Sequence, residues 1–196
     1  MTKEPARHSS VTPSAEGLAE TARSAGSRGL PPVDRWNPPF CGDLDMEIRR
    51  DGTWFYLGKP IGRPELIRLF STILKREGDS YFLVTPVEKV GIRVEDAPFV
   101  AVDFECEHEA LVFTTNVSER IAAGPDHPIR VARDDETGEP APYLLVRRNL
   151  EALIDRKSFY RLAEIGEHRE HEGARWFGLR SGGAFFPVIA SAELPA

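Results

Sequence analysis

The 196-residue sequence has little cysteine: Cys41 and Cys106 are its whole complement, with no Cys-x-x-Cys pair. A stapled secreted scaffold needs a denser cysteine framework, so a reducing, cytoplasmic compartment is expected. There is also no apolar run near the roughly 20 residues that cross a bilayer, and the first residues lack the apolar centre of a secretory signal, so no membrane association is expected. Basic charge is short as well. The 25 Lys and Arg face 31 Asp and Glu, a net charge of -6, which gives nucleic acid no generic attraction. Residues 1–30 contain no aromatic side chain and are rich in Ala, Ser, Gly and charge, which predicts a disordered tail. Arg7, Arg23 and Arg28 among serines would suit a transit peptide, but Glu4, Glu16 and Glu20 would not.

Recognisable catalytic patterns are missing too. The sequence contains no Gly-x-Ser-x-Gly elbow, no phosphate loop ending in Gly-Lys-Ser/Thr and no Gly-x-Gly-x-x-Gly, which lowers the expectation of an enzyme. No catalytic residue, metal or cofactor is therefore assigned. Cys106 and His108 stand at i and i+2 in a predicted strand and would face one way, but two donors fall short of the three or four that zinc requires. Glu167-His168-Arg169-Glu170-His171-Glu172 concentrates donors without a His-Glu-x-x-His pattern and reads as solvated surface.

What is present supports a real core: hydrophobic residues make up 41% of the chain and charged residues 29%. Pro31-Pro32 and Pro38-Pro39 bracket Trp36 in an extended arm. Met46 to Arg49 alternates with period two, Asp51-Gly52 supplies a turn and Trp54 to Leu57 has strand character, together a hairpin. Gly62-Arg63-Pro64 opens a helix carrying Leu66, Leu69, Phe70, Ile73 and Leu74, with Gly78 as its stop. Strands are predicted over 81–85, 87–94, 99–108, 111–115 and 143–147. A second helix is read on Phe159, Leu162 and Ala163, and a hairpin across Ser181-Gly182-Gly183. The clusters at 124–128 and 134–142 read as loops.

Ile61-Gly62-Arg63, followed by Leu66, Arg68 and Leu69, matches Ile154-Asp155-Arg156, followed by Phe159, Arg161 and Leu162, at identical spacing. Each segment follows a strand and leads through a helix to an aromatic-starting strand, which suggests a duplicated strand-helix-strand motif. The fold class is accordingly α+β, with a tail over 1–30, an N-terminal domain over 31–100 and a C-terminal domain over 101–192. The 124–128 loop is placed on the seam between the domains.

Several segments in order carry a resemblance to a known family. They are Asp51-Gly52-Thr53-Trp54, Gly58-Lys59-Pro60-Ile61, Leu69-Phe70-Ser71, Thr85-Pro86-Val87-Glu88, Val94-Glu95-Asp96-Ala97-Pro98-Phe99, His127-Pro128-Ile129-Arg130 and Ser181-Gly182-Gly183. Spanning roughly residues 40–190, the sequence resembles the proteobacterial domain-of-unknown-function family 1285. The resemblance implies two α+β domains with a repeated motif, a C-terminal half loosely similar to pleckstrin-homology folds, ligand binding between the domains and a part in signalling.

The candidate binding residues are Arg63, His127, Arg130, Arg147 and Arg156. Arginine holds carboxylate and phosphate bidentately, but it also makes internal ion pairs, and both roles stay open for these positions. The expected function is a non-catalytic module that binds an acidic or phosphorylated ligand or partner at the domain interface. The alternative is a small metal- or thiol-dependent enzyme using Cys106, His108 and His127.

Overall fold

The computed structural model describes residues 13–25, 29–133 and 138–194. The first sheet is built from strands β1 (Phe40–Ile48), β2 (Trp54–Tyr56), β3 (Lys59–Pro60), β4 (Leu74–Glu77), β5 (Ser80–Val84) and β6 (Lys89–Val94). Its strand order is β3-β2-β1-β6-β5-β4, antiparallel except where β1 runs parallel to β6. The expected hairpin at Asp51-Gly52 is present, with Ile48 opposite Trp54. Gly52 sits at φ +82, and a Cβ there would come within 2.6 Å of the Asn116 amide nitrogen. Glycine is required on both counts.

The second sheet contains β7 (Phe99–Glu107), β8 (Ala110–Thr115), β9 (Arg120–Ala122), β10 (Ile129–Arg133), β11 (Pro140–Arg147) and β12 (Leu150–Ile154), in the order β10-β11-β12-β7-β8-β9. Here β12 is the strand parallel to β7. Read from the other edge, the order is that of the first sheet. Each unit is two three-stranded meanders joined so that its first and last strands lie side by side in parallel. The chain is thus an N- and C-terminal pair of domains of the same topology.

The duplication differs from the one the sequence suggests. Helix α2 (Pro64–Thr72) lies between the meanders of the first unit, where the second has only the 123–128 loop. Helix α3 (Arg156–Glu164) follows β12, outside the second unit. Arg63 and Arg156 therefore occupy non-equivalent places. A helix-period pattern fixes which face is buried, but strand pairing decides where the helix stands in the fold.

Three further expectations change. Helix α2 ends at Thr72, because Leu74 to Glu77 pairs with β5 as a strand, and Gly78, at φ +60, forms the turn between them. Residues 1–12 and 26–28 of the expected tail lie outside the described residues, but Ala15–Ala25 forms helix α1. Ala15, Leu18, Ala19 and Ala22 fall on one face of α1 and are buried in the core, so small side chains suffice where a helix packs closely. The 134–142 loop is shorter than expected, since β11 begins at Pro140; residues 134–137 lie outside the described residues.

A third sheet, β13 (Glu167–His171), β14 (Ala174–Ser181) and β15 (Ala184–Ala190), follows α3. Buried Ser181 fastens it to the second unit. Its hydroxyl accepts from Leu111 N–H and donates to the Ala123 carbonyl, both at 2.7 Å, while Gly182 N–H donates to Glu109 O at 3.1 Å. One apolar cluster runs from Leu18 through Trp54, Phe70, Phe99 and Phe113 to Phe186, so all three sheets share a core.

The two units are bolted together by the β11–β12 turn. Arg147 Nη2 donates to Ser71 O at 2.7 Å, at the C-terminal end of α2, where helix carbonyls lack partners and the helix dipole favours a cation. Arg147 Nη1 pairs with Glu119, and the guanidinium lies 4.8 Å from the Phe99 ring centroid. Arg148 reaches Leu74 O, Pro31 O and the Asp34 carboxylate at 3.5, 3.2 and 2.7 Å, and Asn149 donates to Arg76 O at 3.2 Å. A second clasp is Asn116, which accepts from Val100 N–H and donates to Gly52 O, each at 3.1 Å.

Arg147 is 9% exposed and Arg130, paired with Glu151, is 51% exposed. Arg147→Ala is expected to lower unfolding stability by about 2–3 kcal/mol, because charged hydrogen bonds are lost and Glu119 is left without its partner. Arg130→Ala is expected to cost less than about 1 kcal/mol. Urea denaturation of the two variants checks the ordering.

Candidate functional site

The linker from β6 to β7, residues 95–98, joins the central strand of one unit to that of the next. Glu95 N–H donates to Ile48 O at 2.9 Å, and its carboxylate accepts from Arg50 N–H at 2.8 Å. These bonds fix Asp96 at the foot of a cleft between the units, about 950 Å³ in volume, whose walls include Arg50, Asp96, Tyr143, Glu139, Arg156 and Tyr160.

The Tyr143 hydroxyl donates to Asp96 Oδ1 at 2.7 Å. Asp96 Oδ2 is buried without a hydrogen bond, and Arg50 Nε lies 3.3 Å away, near enough for charge attraction but outside hydrogen-bond geometry. Burial, then the bond to Asp96 and its negative charge, pushes the Tyr143 phenol up to about 12. On the neighbouring strand Arg130 holds Glu151 bidentately at 2.5 and 2.7 Å and lies 4.2 Å from the Tyr143 ring centroid.

Arg156 begins α3, and Asp155 before it accepts from Ser158 N–H at 2.7 Å, an N-cap that explains why the helix starts there. Arg156 Nη2 lies 3.2 Å from Glu139, with both side chains mostly exposed. Among the described residues three arginines, Arg50, Arg133 and Arg156, line the cleft together with four carboxylates. The net field is therefore not positive. An anion would enter by exchanging with a carboxylate already on an arginine.

Of the five residues singled out in the sequence, only Arg156 lines this cleft. Arg147 is used up in the bolt between the units, where burial holds its pKa below the usual value and Glu119 offsets only part of that effect. Arg130 is committed to Glu151. Arg63 is exposed at the N-cap of α2, with no capping hydrogen bond from its side chain. The His127 ring bonds Leu145 O through Nδ1 at 3.0 Å. Its loop, bridged from Gly124 to His127, belongs to the second unit and packs beside the Gly182 turn, away from the expected seam.

Cys106 is exposed on β7, but His108 lies in the two-residue turn after it, at φ 46, so the two do not share a strand face. Among the described residues no group of three His, Cys, Asp or Glu could hold a metal. His168 and His171 pack against Phe177 and Phe185, with ring centroids 5.3 and 5.5 Å apart. The residues that shape the cleft, Arg50, Asp96 and Tyr143, carry no spacing signal, because they meet only through tertiary pairing.

Residues 31–97 match the N-terminal domain of the domain of unknown function DUF1285, and residues 98–188 match its C-terminal domain. The chain belongs to the DUF1285 family. The boundary between the DUF1285 domains falls in the linker that carries Asp96. A DUF1285 family protein from Silicibacter pomeroyi DSS-3, of known crystal structure, is 60% identical, covering 90% of this chain and 97% of its own, with a TM-score of 0.80. A second, from Shewanella baltica OS155, is 32% identical over 62% of this chain and 91% of its own, with a TM-score of 0.50. No curated protein matches the chain. Among the described residues no helix is long and apolar enough to cross a membrane.

With Tyr143 at about 12 in the folded state and near its usual value of about 10 when unfolded, the stability it contributes is complete below about pH 10 and is lost as pH rises toward about 12. Tyr143→Phe is expected to cost about 1–3 kcal/mol at neutral pH by leaving Asp96 without its donor. That difference should shrink at about pH 11. Urea midpoints of both proteins at the two pH values test this, and an unchanged difference would contradict the Tyr143–Asp96 contact.

Proposed function

We propose that this chain is a non-catalytic binding module of bacterial signal transduction that takes an acidic or phosphorylated ligand or partner in the cleft between its two domains. The observation that carries the reading is the arrangement of Arg50 on the N-terminal side of the linker and Arg156 on the C-terminal side, both lining one cleft. Both are well exposed, at 62% and 73%.

Exposed ion pairs contribute less than about 1 kcal/mol, while bidentate binding of carboxylate or phosphate to arginine is stronger, so a ligand can displace the resident carboxylates. Domain interfaces are common sites for small ligands. An anion touching both arginines would favour one placement of the two domains over others, and a partner could sense that preference. A cytoplasmic location accompanies the reading, supported by two exposed, unpaired cysteines. The succession of strands followed by α3 in the C-terminal half supports a loose pleckstrin-homology likeness. The metal- or thiol-dependent alternative has no arrangement of Cys106, His108 and His127 in its favour.

A thermal-shift screen of the full chain with pyrophosphate, nucleoside monophosphates and a glutamate-rich peptide tests the proposal. At least one of these anions should raise the melting temperature, since ligand at 100-fold over its Kd adds about 2.7 kcal/mol to apparent stability. Arg50→Ala and Arg156→Ala should each reduce the shift and Arg63→Ala should leave it. A shift that survives both cleft variants would contradict the site.

A further inference from the structure

Beside the cleft lies an apolar groove of about 240 Å³ between α3 and the third sheet, with Phe159, Leu162, Phe177, Leu179 and Val188 among its walls. Among the described residues Arg133 is the one charged side chain lining it. Arg133, Pro140 and Phe159 line both groove and cleft, so the two adjoin. Resting on the reading of the cleft as an anion site, we infer that the ligand is a small amphipathic acid: a carboxylate held by Arg133 and Arg156, with its hydrocarbon chain in the groove.

Size and charge both support this occupant. A cavity of about 150 Å³ lined by such side chains accepts benzene, so this groove has room for a short alkyl chain. Among the described residues the Arg133 contacts are long, 3.7 Å to Glu193 and 3.4 Å to Gly138 O, so a ligand can replace them. Among the described residues the cleft carries one more carboxylate than it has arginines, so a monoanion is repelled less than a doubly charged phosphate.

Titration calorimetry of the full chain with acetate, octanoate, decanoate and decanol tests the inference. Each buried methylene strengthens binding by about threefold to fourfold, so decanoate should bind more than about tenfold tighter than acetate. It should also bind at least about tenfold tighter than decanol if the arginines hold the acid. Ala163→Trp adds bulk at an exposed helix position lining the groove, so the fold is kept, as an unchanged melting temperature would show; it should abolish the preference for decanoate over acetate. Arg133→Gln should weaken decanoate and leave decanol unchanged.

Decanoate binding no tighter than acetate overturns the inference, and if pyrophosphate still binds through Arg156 the cleft site survives it. Decanoate binding lost in Ala163→Trp yet insensitive to Arg133→Gln and Arg156→Ala overturns it the other way, leaving an apolar groove without the anion site. A dimer in sedimentation that Ala163→Trp dissociates, with no decanoate binding, would assign the groove to a second copy of the chain and also overturn it.

Discussion

The architecture depends on the last residue of β11 and the two-residue turn that follows it. Arg147, Arg148 and Asn149 project from the β11–β12 hairpin of the C-terminal domain into backbone carbonyls at the end of α2 and along β4 of the N-terminal domain. Carbonyls at a helix terminus have no partners within the helix, and a guanidinium satisfies them while complementing the negative end of the dipole. The bolt is polar, but it sits on a continuous apolar core, with Phe99 under the Arg147 guanidinium. Two units of identical topology are thereby held together, and Tyr143 holds the linker between them at Asp96.

The duplication accounts for the cleft, and the additions to it account for the cleft's character. Each unit is a pair of meanders in one six-stranded sheet. After β12 of the second unit come α3 and the third sheet, and the N-cap of α3 places Arg156 in the same cleft as Arg50. Those added elements also create the apolar groove beside Arg133. The repeated units supply Arg50, Arg133 and Tyr143, and the unrepeated α3 adds Arg156.

Local features were legible in the sequence where local physics decides them. The Asp51-Gly52 hairpin, the start of α2 at Pro64 and the Ser181-Gly182-Gly183 turn follow from turn residues, fixed φ and periodicity. The family resemblance was legible in ordered short segments. What escaped was set by long-range pairing. Leu74 has a helical neighbourhood yet joins Leu83 across a hairpin, and β9, β10 and β12 are short strands whose identity comes from their neighbours. Arg147 read as a candidate ligand contact because arginine has the same chemistry for a phosphate as for a helix end; only the fold shows which one it meets. Alanine-rich α1 looked too poor in bulk to fold, but close helix packing needs small side chains.

The central claim is that the two DUF1285 domains form one body, bolted at Arg147 and sharing a core, so that the cleft between them is preformed. Differential scanning calorimetry of the full chain tests it most directly, by comparing the calorimetric enthalpy with the van't Hoff enthalpy. The account predicts a single transition in which the two agree. Two resolved transitions, or a calorimetric enthalpy well above the van't Hoff value, would show that the domains unfold separately and would contradict it.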